Sequence, residues 1–274
     1  MEIPLITFRH MEPDDLEQVL NIILAHDEDD AEEAEKNYQQ NSVDGQYVML
    51  LDEQIIGVSG ARLLDDCDNS FSLSWTYVDK QHCRKGYGRQ MLQHVLDELK
   101  TYNARKVFVY VSDYRDESGN NIYAGALHLY QACGFEIELK IADYYDEDEA
   151  LTVLGLLLQK KEQEQEQEQE GEALTIKPES PKVKFNQLIH IAETESAYNF
   201  GWQTKRFGYN FRAQDILTGL DAAHQSGATI VLISFPSNYQ NVKPQLNEAG
   251  FREVGQLTDY YENGVHEVHY EYRF

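Results

Sequence analysis

The chain has 274 residues, with 23 Lys and Arg against 48 Asp and Glu and a formal net charge of −25. Aromatic residues make up 11%, including 18 Tyr and 11 Phe, which is enough apolar surface for a core and excludes a wholly disordered chain. The acidity argues against a nucleic-acid backbone or an anionic membrane as partner and suits cationic partners, though solubility alone also explains it. In chain order, Ile6–His10 reads as a short strand, and 13–25 as a helix with Leu16, Val19, Leu20 and Ile23 at helical spacing. Residues 27–36, DEDDAEEAEK, read as an acidic helix or loop. Strands follow at Gln46–Leu51 and 55–63, joined by Asp52, Glu53 and Gln54 as a hairpin turn. Residues 71–78 alternate Phe71, Leu73, Trp75 and Tyr77 with Ser72, Ser74 and Thr76, which predicts one continuous strand. A helix over 86–100 carries Met91, Leu92, Val95, Leu96 and Leu99 on one face. A strand at 106–111, a helix at 124–133 ended by Gly134, and strands at 136–141 and 150–157 complete this part. The order predicts an α/β (α+β) fold with a mixed sheet and helices packed on it.

Residues 160–172, KKEQEQEQEQEGE, have nothing to bury and read as a linker between two domains, 1–159 and 173–274. The N-terminal part holds most of the charge asymmetry, net −18 over 1–160 against −7 over 161–274. Cys67, Cys83 and Cys133 lie far apart at no metal-ligand spacing, so no metal is expected and a reducing compartment is. With no basic segment preceding an apolar run near the start, and no stretch of roughly 20 apolar residues, the reading is cytoplasmic with no membrane partner.

The stretch most suggestive of chemistry is 74–92, SWTYVDKQHCRKGYGRQML. A strand end, a basic glycine loop and a helix start follow one another. Backbone N–H groups at a helix N-terminus form an anion site, and Gly86 and Gly88 permit close approach of a phosphate. Arg84, Lys85 and Arg89 reverse the sign of charge locally in an acidic chain. The same glycines also suit a plain turn opening a surface helix.

This stretch resembles motif A of the GNAT N-acetyltransferase superfamily, Arg/Gln-x-x-Gly-x-Gly/Ala. Downstream, 126–135, ALHLYQACGF, resembles that family's motif B, and 142–158, ADYYDEDEALTVLGLLL, resembles its last hairpin. The three segments fall in the family's order and spacing over about residues 5–158. The resemblance implies a mixed, splayed β-sheet flanked by helices and transfer of an acetyl group from acetyl-CoA to a primary amine. By it, backbone amides of Lys85, Gly86, Tyr87, Gly88 and Arg89 hold the pyrophosphate of acetyl-CoA, with Arg84 adding charge as a further cofactor-binding residue, while Tyr77 and Val78 pair with the pantetheine arm. Tyr130 matches the motif B tyrosine, and its phenol is implied to protonate the leaving thiolate. Cys83 stands where motif A usually has Arg or Gln, and Tyr123 stands where motif B often has Asn; Asn121, just upstream, is the substitute cofactor contact. The general base is unassigned, because family members often place a carboxylate on the strand that 71–78 resembles, and this strand offers none. Seven acids in 27–35 favour a cationic small-molecule or peptide acceptor, or else form a solvated helix face. The alternative reading is a non-enzymatic acyl-CoA-binding or interaction module.

The second half repeats features of the first. Gly134-Phe135 precedes Asp143–Tyr145, and Gly250-Phe251 precedes Asp259–Tyr261, with Phe-to-Asp spacing of eight residues in both. Gly208-Tyr209 precedes a helical segment and then the strand TIVLISF, as Gly86-Tyr87 precedes a helix and KVFVYV. An internal duplication is expected, with a smaller, degenerate GNAT-like second copy. In it Asn210 replaces Gly88 and Leu246 replaces Tyr130. That copy is expected to pack on the first domain, shape the acceptor site or mediate oligomerisation, and a homodimer is left open.

Overall fold

A computed structural model describes residues 5–159, 181–205 and 212–274. The linker at 160–172, and Gly208, Tyr209 and Asn210, lie outside the described residues. The elements in order are β1 (Ile6–His10), α1 (Leu16–Leu24), α2 (Glu28–Asn41), β2 (Gln46–Leu51), β3 (Gln54–Leu63), β4 (Ser70–Leu73) and β5 (Tyr77–Val78), then α3 (Tyr87–Thr101), β6 (Lys106–Ser112), α4 (Ala124–Ala132), β7 (Glu136–Asp146) and β8 (Glu149–Leu157). The C-terminal half adds β9 (Lys182–His190), β10 (Ala197–Lys205), α5 (Ala213–Gln225), β11 (Ile230–Pro236), α6 (Lys243–Glu248), β12 (Arg252–Glu262) and β13 (Val265–Arg273). Strand order is β1-β2-β3-β4-β6-β8-β7, with β5 on β3, in one sheet and β12-β13-β11-β10-β9 in the other. By contacts, the chain divides into two compact units. One is Met1–Val109 with Gly125–Glu136 and Leu156–Gln159; the other is Tyr110–Ala124 with Ile137–Gly155 and Lys160–Phe274. Among the described residues, no helix is long and apolar enough to cross a membrane.

In the first unit, α1 turns Val19, Ile22 and Ile23 inward, and α2 adds Ala31, Ala34 and Tyr38 to the same cluster. The exposed face of α2 keeps its charges in water, which is how so acidic a segment forms a helix at all. The β2–β3 hairpin turns on Asp52 (φ 49°) and Glu53 (φ 72°), the two positive values a tight primed turn requires. Helix α3 buries Met91, Leu92, Val95, Leu96 and Leu99, as its spacing predicts.

The single strand expected over 71–78 is two strands. β4 pairs antiparallel with β3 at Ala61↔Leu73 to Leu63↔Phe71, and β5 rejoins β3 at Gly57↔Val78 and Val58↔Tyr77. Between them the chain leaves the ladder. Ser74 N–H donates to Gly60 O (2.9 Å), Gln46 Nε2 donates to Ser74 Oγ (2.8 Å), and the Ser59 and Thr76 hydroxyls bond each other at 2.8 Å. Side-chain partners at the break serve polar groups that a continuous ladder would leave to backbone pairing. The break has a consequence for β6. β4 and β6 pair in parallel only at Ser70↔Lys106, Phe71↔Val107 and Ser72↔Phe108, after which β5 stays with β3.

The second unit contains the same local devices. The Phe135 N–H donates to Tyr130 O (3.1 Å) in the first copy, and the Phe251 N–H to Leu246 O (3.0 Å) in the second. Gly134 and Gly250 share a left-handed φ, 95° and 93°. Asp143 Oδ1 accepts Asp148 N–H (3.1 Å), and Asp259 Oδ1 accepts Gly264 N–H (2.8 Å). Tyr144 and Tyr145 meet edge to face at 4.8 Å; Tyr260 and Tyr261 do so at 4.9 Å. β10 and β11 pair in parallel over three residues, Ala197↔Ile230 to Asn199↔Leu232, just as β4 and β6 do. The core of this unit gathers on Phe200, Ile216, Leu220, Val231, Ile233 and Phe251.

Candidate active site

The site grows from the way β5 hands over to α3. Asp79 Oδ1 accepts Gln81 N–H (2.7 Å) and contacts His82 Nδ1 (3.3 Å), which fixes the turn leaving β5. Lys85 Nζ donates to Gln81 O (2.9 Å), holding the basic loop against that turn. Arg84 (φ 61°) and Gly86 (φ 86°) are both left-handed, and Gly86 caps α3. The backbone therefore reverses sharply before the helix. The first N–H groups of α3 have no partner within the helix, and its dipole makes them attractive to an anion.

Gly88 is the second residue of α3. A Cβ built there stands 3.4 Å from Leu129 Cδ2 and 3.9 Å from Val78 Cγ2. The start of α3, the end of β5 and the helix that carries Tyr130 thus meet at Gly88. Arg89 is placed differently from the sequence expectation for its side chain, since its guanidinium donates to Ala132 O (3.0 Å) and ties α3 to the end of α4. Arg84 and Lys85 are exposed at the loop, and Tyr87 is half-buried, its ring 6.2 Å from that of His82. Asn121 belongs to the second compact unit, where its Oδ1 accepts Tyr123 N–H (2.8 Å) ahead of α4.

Tyr130 is buried on α4, edge-on to Phe135 at 5.7 Å, with its hydroxyl near Thr76. Burial pushes its pKa above the usual phenol value, against the smaller pull of Thr76. The phenol therefore stays protonated at neutral pH and remains a donor. Tyr77, half-buried on β5, donates its hydroxyl to Asp30 Oδ2 of α2, and burial, then the Asp30 charge, raises its pKa as well. His26 Nε2 donates to Val78 O at 2.8 Å, with its ring 5.3 Å from Tyr77. Cys83 Sγ also reaches Val78 O (3.5 Å), and burial raises that thiol's pKa, so it is no ready nucleophile.

The residues that sequence reasoning did not single out are His26, Asp30 and Thr76. Thr76 and Tyr130 are far apart in sequence, and the place of Thr76 at the strand break, bonded to Ser59, is visible only in the fold. For Asp30 a local signal existed. Asp27 is a helix N-cap, which places Asp30 three residues in, on the first turn of α2. Among the described residues, no group of three His, Cys, Asp or Glu is placed to hold a metal ion.

Residues 13–135 match the family model described as the acetyltransferase (GNAT) family. These residues form a GNAT acetyltransferase domain. The chain thus carries an acetyl-CoA-dependent acyltransferase domain, and the match does not extend to residues 136–274. Among solved structures, the ribosomal-protein-S18-alanine N-acetyltransferase of Escherichia coli is 21% identical, with 58% of this chain and 98% of that one covered at a TM-score of 0.47. Ard1 of Thermoplasma volcanium is 16% identical over 57% of this chain and 99% of its own, TM-score 0.47. The Salmonella typhimurium protein yncA, solved with acetyl-CoA, is 19% identical over 57% and 95%, TM-score 0.45. No curated protein matches the chain.

Proposed function

We propose that the acetyltransferase domain moves an acetyl group from acetyl-CoA to a cationic primary amine by direct attack, without a covalent enzyme intermediate. The observation that carries this reading is the convergence at Gly88, where the α3 N-terminus, Val78 of β5 and Leu129 beside Tyr130 come within van der Waals reach. Backbone N–H groups of residues 85–89 hold the pyrophosphate, and the edge of β5 at Tyr77 and Val78 aligns the pantetheine arm. Backbone N–H groups at the strand break polarise the thioester carbonyl as charge develops on its oxygen. Tyr130, kept protonated by burial, gives its proton to the departing sulfur. Residues 1–159 are the catalytic domain, 160–172 its tether, and 173–274 a degenerate copy, in a cytoplasmic protein.

Calorimetric titration with acetyl-CoA, followed by mass-spectrometric detection of acetylated amines, tests the reading. Binding with turnover of polyamines or lysine-bearing peptides is expected. Binding without turnover of any amine would favour the non-enzymatic acyl-CoA-binding alternative. Failure to bind acetyl-CoA would remove both.

A further inference from the structure

We propose that Asp30 is the carboxylate that seats the ammonium group of the acceptor and takes its proton, an assignment that deepens the acetyl-transfer reading and rests on it. The stretch 70–78, SFSLSWTYV, carries no carboxylate, so the chain must bring one from another element or do without. Helix α2 brings one. Asp27 Oδ1 accepts Asp30 N–H (3.0 Å), which fixes the first turn and holds residue 30 toward β5, where Tyr77 donates its hydroxyl to Asp30 Oδ2. The helix N-terminus favours an anion at that position.

Elimination among the seven acids of 27–35 points the same way. Glu28, Asp29, Glu32 and Glu35 are exposed. Glu32 and Glu33 lie within 3.9 and 3.7 Å of Lys36. Asp27 is committed to the cap. Asp30 is half-buried, and its charge acts on Tyr130 as well as on Tyr77. Among the groups near it are Asp27 on its own helix, Tyr77 on β5 and Tyr130 on α4. A carboxylate and a buried, protonated phenol thus flank the strand break from two helices. That is the pair of groups a reaction needs when it must strip a proton from nitrogen and deliver one to sulfur.

The step balances. One ammonium proton passes to Asp30 and on to water. The freed nitrogen lone pair forms the C–N bond, and the C–S bond breaks with its electrons on sulfur. The second nitrogen proton replaces the one Tyr130 gives to sulfur.

The test uses the full chain with D30N, D30E and the exposed neighbour variant D29N. The amines are spermidine, a lysine-bearing peptide and an arylamine that is uncharged at neutral pH. D30N is expected to lower kcat/KM for the two cationic amines by about 100-fold at neutral pH. The loss should shrink as pH rises toward the amine's own pKa, where no base is needed. The arylamine should lose far less, acetyl-CoA affinity by calorimetry should hold, and D29N should match the unaltered chain. Unchanged kcat/KM in D30N, or an equal loss for all three amines at every pH, overturns the assignment while leaving acetyl transfer intact. Should D30N also weaken acetyl-CoA binding, D30E decides: a restored neutral-pH rate supports the assignment, and none overturns it. No acetyl-CoA binding by the unaltered chain overturns the acetyl-transfer reading and this assignment together.

Discussion

Tyr130 is the residue where packing and proposed chemistry separate most cleanly. Its ring packs on Phe135 and its hydroxyl is the proposed proton donor, so Tyr130→Phe keeps the first and deletes the second. The expected result is a fall in kcat of about 100-fold with acetyl-CoA affinity unchanged, read by steady-state kinetics beside calorimetry. Because burial raises the phenol's pKa, the donor form persists above the ordinary value of about 10, and kcat should show no basic limb from this group below that pH. The two loop glycines divide differently. Gly86 needs its left-handed φ of 86° but has no atom within 4 Å of an added Cβ, so Gly86→Ala should cost about 1 kcal/mol of stability, read as a lowered urea midpoint. Gly88 lies within α3, where alanine is the better helix former, and a methyl there meets Leu129 at ordinary contact distance. Gly88→Ala should therefore hold or gain stability yet lose about 10-fold in acetyl-CoA affinity, because the methyl fills the phosphate approach. Two alanine variants two residues apart, with opposite effects on stability, would separate fold from site.

At the scale of the element, the entry to α1 shows how a local contact sets pH dependence. Asp15 lies beneath Arg9, at 2.5 Å from Nη1, and also accepts Glu12 N–H (2.8 Å). The Arg9 hydrogen bond is the largest influence and holds the Asp15 carboxyl below the usual carboxylate value. The folded state thus binds fewer protons than the unfolded one as the group titrates. Its contribution is complete above the unfolded value of about 4 and is lost as pH falls through the lower folded value. Asp15→Asn should lower the urea midpoint at neutral pH and flatten its decline in acid. Most elements of this kind were legible in the sequence because they carry their own periodicity: α3 through five apolar residues at helical spacing, and the β2–β3 hairpin through its turn. The break at 74–76 was not legible. Residues 71–78 alternate apolar and polar throughout, and alternation reports which face a side chain takes, not which strand its backbone pairs with. The break depends on Gln46, Ser59 and Gly60, which come from β2 and β3. For the same reason the glycine loop and Tyr130 were recognisable from motifs, whereas Asp30 was one acid among seven until Tyr77 met it.

Over the whole molecule, the C-terminal half shares backbone devices with the acetyltransferase domain but not its proposed reactive groups, and the proposed duplication asks what such a second copy does. The second copy keeps the backbone devices: the left-handed glycine after its short helix, the aspartate-closed hairpin and a parallel ladder that stops after three pairs. It does not keep the groups that act at that ladder's end. Leu246, fully buried, stands where Tyr130 stands, with the same backbone bond to the following Phe and no proton to give. Matching the ladders, Ser70 with Ala197, sets Trp202 opposite Trp75. Trp75 packs edge-on against Tyr38, but Trp202 donates its indole N–H to Ser234 O (2.8 Å) and stacks on Phe235 at 4.6 Å. The indole therefore bridges β10 to β11 where the two strands have stopped pairing. The motif spacing sets Asn210 opposite Gly88, whereas counting back from the matching ends of α3 and α5, Leu99 and Ala223, sets Arg212 there; on either count a larger side chain replaces the glycine. Two substitutions, at the positions of Tyr130 and Gly88, and a tryptophan with different partners thus act against a second cofactor site. Calorimetry with acetyl-CoA should give a stoichiometry of one per chain. Leu246→Ala should destabilise the chain by about 2–5 kcal/mol, a core-cavity cost, while leaving that stoichiometry and affinity unchanged in the folded protein. A stoichiometry of two would mean that Trp202 yields to the ligand and that the duplicated half still binds what the first half binds.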